Sequence, residues 1–209
     1  MTQPPYVGAF QARVSEVFFS LPEAASFLLA GGLALLAHGL TDRPTEDLDA
    51  FTCRDGDVSR ARSAFEKVAL AQGWQIEEVQ SSETFVRLRV TGEESLLVDI
   101  ALDSPPGLPS AMTIIGPTFA PEELAARKLL ALADRAMPRD FADVYALRHL
   151  QDRDAILAMA ESLDPGLNAR GLADAMRQLD RYADEDIPVG QEAVARIRSF
   201  FREWIAALS

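Results

Sequence analysis

The stretch LLAGGLALLAHGLTDRPTEDLDAF, residues 28–51, contains a glycine pair and ends with two aspartates, Asp47 and Asp49, on either side of Leu48. If DLDAFT forms a β-strand, both carboxylates leave the same face about 6.6 Å apart, while Leu48 points into the core. Two carboxylates at that spacing can converge on divalent cations. The spacing therefore predicts a metal site at the start of this strand.

A second interpretation of the aspartates needs no metal. RPTEDLD also suits the start of a helix, with Thr45 as the N-cap and with Glu46 and Asp47 stabilised by the helix dipole. An aspartate-x-aspartate spacing alone is a weak signal. Both interpretations stay open on this motif by itself.

The glycine pair favours the metal site. Gly31 and Gly32 stand at the expected turn between a strand and a helix. Glycine there lets the backbone approach a ligand closely, and the amides that open the next helix suit a triphosphate. Tight packing of the strand against the helix is the alternative explanation of the pair.

A third carboxylate lies in the segment LLVDIAL. Its neighbours Val98 and Ile100 are expected to face the core, which leaves Asp99 on the opposite side of the strand. Together with Asp47 and Asp49, this side chain could hold the two magnesium ions, about 3.5–4 Å apart, of an in-line phosphoryl or nucleotidyl transfer.

The remaining hydrophobic pattern predicts the fold class. A helix over residues 10–20 precedes the strand SFLLAGG, the helix LALLAHGL, the strand DLDAFT, the helix DVSRARSAFEKVALAQGW and the strands TFVRLRVTG and SLLVDIALD. This alternation indicates an α/β or α+β sheet. From about Pro121 the pattern is helical, with PEELAARKLLALADRA, DFADVYALRHL and three further segments. SPPGLPS interrupts the pattern, so we expect regions 1–110 and 111–209.

Composition limits the function classes. Carboxylates outnumber basic side chains by 32 to 20, which argues against a broad non-specific grip on nucleic acid. Residues 127–153, with six basic side chains, are the best candidate for meeting a phosphate-bearing ligand. No apolar run is long enough to span a membrane. MTQPPYVGAF lacks the features of a secretory signal, and Cys53 is the only cysteine. These features predict a cytoplasmic protein.

A second motif lies in the helical region. Lys128 and Arg135 are seven residues apart, so they share a helix face about 10.5 Å apart along the axis. Two cations on one face could follow a triphosphate, although Lys128 could also be a solvated surface residue. Asp140 and Asp143 follow a proline, and capping of the next helix, with Asp140 as the N-cap, could explain both.

These residues carry a family resemblance. AGGLALLAHGLTDRPTEDLDAF resembles the signature of the polymerase-β-like nucleotidyltransferase superfamily, and KLLALADRAMPRDFADVYAL resembles the lysine, arginine and aspartate motif of the AbiEii/AbiGii nucleotidyltransferase toxins. The resemblance covers roughly residues 27–150. Gly32 stands where many superfamily members have serine. The AbiEii/AbiGii toxins, the narrower group, are indicated by the identity and spacing of six residues: His38, Gly39, Arg43, Thr45, Asp47 and Asp49.

The resemblance implies a fold and a set of roles. It implies a polymerase-β-like nucleotidyltransferase core with a small mixed sheet flanked by helices, followed by a helical C-terminal region that completes the nucleotide site. Magnesium is expected on Asp47, Asp49 and Asp99, and Asp99 helps to deprotonate the acceptor. Asp140 has a catalytic or nucleotide-positioning role. The nucleoside triphosphate (NTP) is expected to contact Gly31, Gly32, Arg43, Thr45, Lys128 and Arg135.

The expected reaction is transfer of a nucleoside monophosphate from an NTP to an acceptor hydroxyl, with an RNA 3′ end, especially that of tRNA, as the acceptor. A toxin of this type implies a cognate antitoxin protein as partner. Two alternatives remain. One is a small-molecule nucleotidyltransferase of the antibiotic-modifying kind, and the other is a catalytically silent nucleotidyltransferase-like binding protein.

Overall fold

The computed structural model describes residues 7–208, and these divide between Ala120 and Pro121 into two compact units. The expectation about a secretory signal rests mostly on residues 1–6, which lie outside the described residues.

The first unit combines a mixed sheet with three α-helices. Its helices are α1 (Ala9–Phe19), α2 (Gly31–Ala37) and α3 (Asp57–Ala71), and a 3-10 turn covers Pro22–Ala24. Its strands are β1 (Leu28–Leu29), β2 (Asp47–Thr52), β3 (Gln75–Ser81), β4 (Phe85–Thr91), β5 (Ser95–Leu102), β6 (Ala111–Thr113) and β7 (Gly116–Thr118).

The sheet has seven strands in the order β3-β4-β5-β2-β1-β7-β6. The central pair, β2 and β5, is parallel, whereas β4 pairs with β5 and β1 pairs with β2 in antiparallel fashion. Leu48, Val98 and Ile100 have no exposed surface. Their alternation with half-buried residues confirms that the carboxylates of β2 lie on the face opposite these three side chains. The mixed α/β architecture expected from the sequence is confirmed.

The helix-start interpretation of RPTEDLD is wrong, because Asp47–Thr52 is a strand over its whole length. The pattern of buried residues explains why this segment forms a strand and not a helix. Leu48, Ala50 and Thr52 are buried at every second position, and only a strand places these three on one face.

The hydrophobic pattern of the sequence does not predict three of these strands. β3 is an edge strand in which every residue except Ile76 is exposed. Its sequence QIEEVQS therefore shows no alternation of polar and apolar residues. β6 and β7 have three residues each, too few for a periodic signal.

The second unit is helical. It contains α4 (Pro121–Arg135), α5 (Pro138–Leu147), α6 (Arg153–Leu163), α7 (Ala169–Arg177) and α8 (Gln191–Leu208), with 3-10 turns at Gln178–Arg181 and Asp184–Asp186. Phe141, Leu172, Met176, Ile197 and Phe201 form its buried core. One face of α8 therefore packs inside this unit.

The structural division lies ten residues after the expected boundary at 110. Residues 111–118 form β6 and β7, and β7 pairs with β1, so the first unit needs them to complete its sheet. SPPGLPS interrupts the hydrophobic pattern without ending the sheet. Among residues 7–208, no helix is both long and apolar enough to cross a membrane.

Candidate functional site

The three candidate carboxylates of the first unit lie on adjacent strands. Asp47 and Asp49 are half-buried on β2, and Asp99 is buried on β5. Asp49 and Asp99 are register partners in the parallel β2–β5 pair. Neighbouring residues in register point to the same face of a sheet, so these three side chains share one face.

Gly31 lies directly against one of these carboxylates. Its φ is +63°, and a Cβ added there would fall 1.6 Å from Oδ2 of Asp49. The amide of Ala30 also donates to the backbone carbonyl of Asp49, with an N–O distance of 2.8 Å. The turn between β1 and α2 thus needs glycine for its backbone angle and for its contact with Asp49.

Gly32 contacts a second group of predicted site residues. A Cβ on Gly32 would lie 2.8 Å from Oγ1 of Thr45 and 3.4 Å from Nη2 of Arg43. The Thr45 hydroxyl donates to Oδ1 of Asp47. Thr45 therefore fills the space that a serine side chain would need at position 32, which accounts for glycine there.

Arg87 of β4 also belongs to this site, although no motif in the sequence indicates a role for it. Its Nε donates to Oδ1 of Asp99 at 2.7 Å, and its Nη2 donates to Oδ2 at 2.6 Å. The Asp99 side chain is 7% exposed and that of Arg87 is 38% exposed. The hydrogen bonds that Arg87 donates to Asp99 raise the pKa of Arg87, and the negative charges of Asp99, Asp49 and Asp47 raise it further.

The three carboxylates of this site fit a magnesium ion in part. Carboxylate oxygens are the hard donors that Mg²⁺ prefers, and Mg²⁺ is usually held by one or two carboxylates together with substrate phosphates. Asp47 and Asp49 supply such a pair beside the Gly31 backbone. Both oxygens of Asp99 accept hydrogen bonds from Arg87, and among residues 7–208 no three His, Cys, Asp or Glu side chains already form a metal-binding group.

The second unit holds Lys128 in a buried ion pair. Its ammonium lies 2.7 Å from Oδ2 of Asp143, and the two side chains are 10% and 1% exposed. The interpretation of Lys128 as a solvated surface residue is therefore wrong. Asp143, expected only to stabilise a helix end, neutralises Lys128.

Arg135 and Asp140 form a second pair. Nε and Nη2 of Arg135 donate to the two carboxylate oxygens of Asp140 at 2.9 and 2.7 Å. α5 begins at Pro138, so Asp140 is the third helical residue rather than the N-cap. It accepts from the amide of Met137 at 3.1 Å and so still stabilises the helix end.

One family match covers most of both units. The family of the nucleotidyltransferase AbiEii toxins of type IV toxin–antitoxin systems matches residues 16–207. The chain belongs to the AbiEii toxin family. The resemblance of its two motifs is thereby confirmed, and the chain is a nucleotidyltransferase. No curated protein matches the sequence.

Solved structures agree with the AbiEii fold. MenT4, a nucleotidyltransferase toxin from Mycobacterium tuberculosis H37Rv, matches with a TM-score of 0.60 and 17% identity, over 97% of this chain and 91% of that chain. JHP933 from Helicobacter pylori matches with a TM-score of 0.55 and 18% identity, over 94% of this chain and 89% of that chain. At these identities the likeness concerns the fold.

Within the AbiEii fold the predicted residues form two groups. The first unit brings together Gly31 with Asp49, Gly32 with Arg43 and Thr45, and Asp49 with Asp99. The second unit pairs Lys128 with Asp143 and Arg135 with Asp140. Sequence reasoning missed the partners Arg87 and Asp143. The alternation in FVRLRV placed Arg87 on one strand face, but only the pairing of β4 with β5 shows that it lies opposite Asp99.

Proposed function

We propose that this AbiEii-family protein transfers a nucleoside monophosphate from an NTP to the 3′ hydroxyl of an RNA, tRNA in particular, in a magnesium-dependent reaction. The observation that carries the proposal is the placement of Asp47 and Asp49 on one face of β2, with the Asp49 carboxylate against the backbone of Gly31. That turn brings main-chain atoms and metal-binding oxygens to the same place, where the triphosphate of an NTP needs both.

Asp47 and Asp49 would hold the magnesium, with Asp99 as the third ligand. Bound magnesium would neutralise the phosphate oxygens and stabilise the charge that develops in the transition state. The glycine pair leaves the turn without side chains, so the phosphates can approach its amides closely. Arg43 and Thr45, which lie beside Gly32, are in position to contact the same phosphates.

In the transfer, the acceptor oxygen forms a bond to the α-phosphorus, and the bond from that phosphorus to the pyrophosphate oxygen breaks. The proton of the acceptor hydroxyl passes to Asp99, and pyrophosphate leaves. The family resemblance gives Lys128 a role in balancing the triphosphate charge and Asp140 a role in positioning the nucleotide. Within the second unit, Asp143 holds the Lys128 ammonium in one position, and Arg135 holds the carboxylate of Asp140.

An RNA acceptor is supported by the family resemblance. Residues 127–153 carry six basic and four acidic side chains, and Lys128 and Arg135 among them are paired with Asp143 and Asp140. This balance suits a contact with one end of an RNA better than binding along its length. The family also implies a cognate antitoxin as partner, and we place the activity in the cytoplasm, where tRNA and NTPs occur.

The test is incubation of the protein with each labelled NTP, magnesium and total cellular RNA, followed by a denaturing gel. We expect label in tRNA-sized bands with the parent and none with Asp49→Asn. Asp174→Asn is the matched control, because Asp174 forms a surface ion pair with Arg177 and its side chain is 62% exposed. Label only in small molecules supplied separately would support an antibiotic-modifying enzyme, and magnesium-dependent NTP binding without transfer would support a silent binding protein.

Induced expression gives a cellular test. Growth of a bacterial host should slow with the parent, and co-expression of the cognate antitoxin should restore it. Asp49→Asn should not slow growth at equal protein levels. Slowed growth with Asp49→Asn would show that toxicity does not depend on this site.

A further inference from the structure

The guanidinium of Arg87 is bound to Asp99, the residue that is expected to be the third metal ligand. It donates to both oxygens of Asp99 at 2.7 and 2.6 Å, in the two-pronged geometry that makes arginine–carboxylate pairs strong. Arg87 and Asp99 are also register partners on β4 and β5. The sheet therefore places the two residues side by side.

A metal ion and Arg87 compete for Asp99. A carboxylate that already accepts two charge-assisted hydrogen bonds binds a second cation less tightly, because one bond must be released and because the two cations repel each other. The same repulsion reaches ions held by Asp49, the register partner of Asp99 on the other side. Arg87 therefore weakens the binding of a metal ion that arrives alone.

We propose that Arg87 is a positioning residue that makes metal binding depend on the nucleotide: it holds Asp99 while the site is empty and yields it when the metal arrives with the triphosphate. This inference rests on the proposed function. The phosphates bring their own negative charge, which attracts Arg87 away from Asp99 and offsets its repulsion of the metal.

The surroundings of Arg87 allow such a movement. Its side chain is 38% exposed, whereas Asp99 is 7% exposed, so the arginine rather than the carboxylate has room to move. The guanidinium carbon lies 5.6 Å from the ring centroid of Phe85, which is close enough for a cation–π contact. Phe85 thus gives the guanidinium a second contact besides Asp99.

The experiment measures Mn²⁺ affinity by titration, with and without a non-hydrolysable NTP analogue, for the parent, Arg87→Gln and Arg89→Gln. Arg89 is the matched control because it lies two residues along β4 and its partner is the exposed Glu77. Loss of a charge-assisted contact changes affinity by roughly tenfold to a hundredfold. We expect Arg87→Gln to bind Mn²⁺ alone about tenfold more tightly, with little further gain from the analogue. Arg89→Gln should behave like the parent.

Equal or weaker binding of Mn²⁺ alone by Arg87→Gln overturns the inference, as does an equal increase in Arg89→Gln. If the parent binds Mn²⁺ neither alone nor with the analogue at millimolar concentration, the proposed function fails, and this inference fails with it. If Arg87→Gln does not fold, Arg87→Lys replaces it. That variant keeps the charge but cannot bind both oxygens of Asp99 at once. It should bind Mn²⁺ alone more tightly than the parent, and an unchanged affinity would contradict the proposal.

Discussion

The strand site of the first unit and the α4–α5 pairs of the second unit differ in their balance of acidic and basic side chains. The strand site consists of Asp47, Asp49 and Asp99 with the two arginines Arg43 and Arg87. In the α4–α5 pairs each carboxylate has its own cation, Lys128 with Asp143 and Arg135 with Asp140. Acidic groups therefore outnumber basic ones at the strand site, whereas the α4–α5 pairs are neutral.

This difference predicts opposite responses to the loss of a charge. A buried pair that loses one member leaves an uncompensated charge, which is strongly destabilising. Carboxylates that share one sheet face repel one another, so neutralising one of them should not destabilise the protein in the absence of a cation. Stability experiments can therefore separate residues that the fold requires from residues whose task is to bind a ligand.

The largest expected effect on stability is that of Lys128→Ala. Asp143, with a side chain only 1% exposed, would be left without its ammonium, at a cost of about 3–5 kcal/mol in the free energy of unfolding. Urea unfolding measures this value. A loss below about 1 kcal/mol would contradict the neutral-pair account.

A double variant sharpens the same comparison. Lys128→Met with Asp143→Leu replaces both charges by apolar side chains and should recover most of the stability. If Lys128 also balances the triphosphate, nucleotide transfer will stay low in this well-folded variant. Full transfer by the double variant would limit Lys128 to a structural role.

The next effect concerns the contact between Gly31 and Asp49. Gly39→Ala is the control, because Gly39 also has a positive φ, +68°, but an added Cβ would meet no atom within 4 Å. The control should lose about 1–2 kcal/mol through backbone strain alone. Gly31→Ala should lose about 1–3 kcal/mol more, because its Cβ must displace the Asp49 carboxylate, and it should also lose transfer. Equal losses in the two variants would show that Asp49 moves aside freely.

The smallest expected effect on stability concerns Asp57, a carboxylate that lies outside both regions. The Ser26 hydroxyl donates to Asp57, and this hydrogen bond, with Arg60 and Arg54 nearby, lowers the pKa of Asp57 from its ordinary 3.8 despite its burial. Ionised Asp57 thus contributes stability above pH 3.8, which is lost as the pH falls through the lowered pKa. Asp57→Asn should cost about 1 kcal/mol at pH 7. Unfolding at several pH values should show the difference between parent and variant shrinking in acid, and a difference that is constant with pH would contradict the lowered pKa.

The parts of the molecule that the sequence predicts are those with a strong local signal. β2 alternates half-buried and buried residues over six positions, and the buried apolar residues Val98 and Ile100 flank Asp99 on β5. These patterns predict the face of Asp47, Asp49 and Asp99. The exposed edge strand β3 lacks that signal. The α4 helix is likewise evident from its pattern, but its periodicity does not reveal whether Lys128 faces solvent or a carboxylate.

The partners of the site residues depend on long-range pairing. Arg87 meets Asp99 because β4 and β5 pair in one register, and a shift by one residue would send the arginine to the other face. Asp143 meets Lys128 through the packing of α5 against α4. Neither contact has a spacing in the sequence from which it could be read.

We propose that the two aspartates of β2 form the metal site of the transferase. Thermal unfolding of the parent, Asp49→Asn and Asp174→Asn, with and without magnesium plus NTP, tests it together with nucleotide transfer. Asp49→Asn keeps the size of the side chain but removes its charge, so we expect an unchanged or slightly raised Tm without ligand, no stabilisation by magnesium and NTP, and no transfer. Asp174→Asn should match the parent in all three. Retention of both transfer and ligand-induced stabilisation by Asp49→Asn would contradict the metal site and the mechanism built on it.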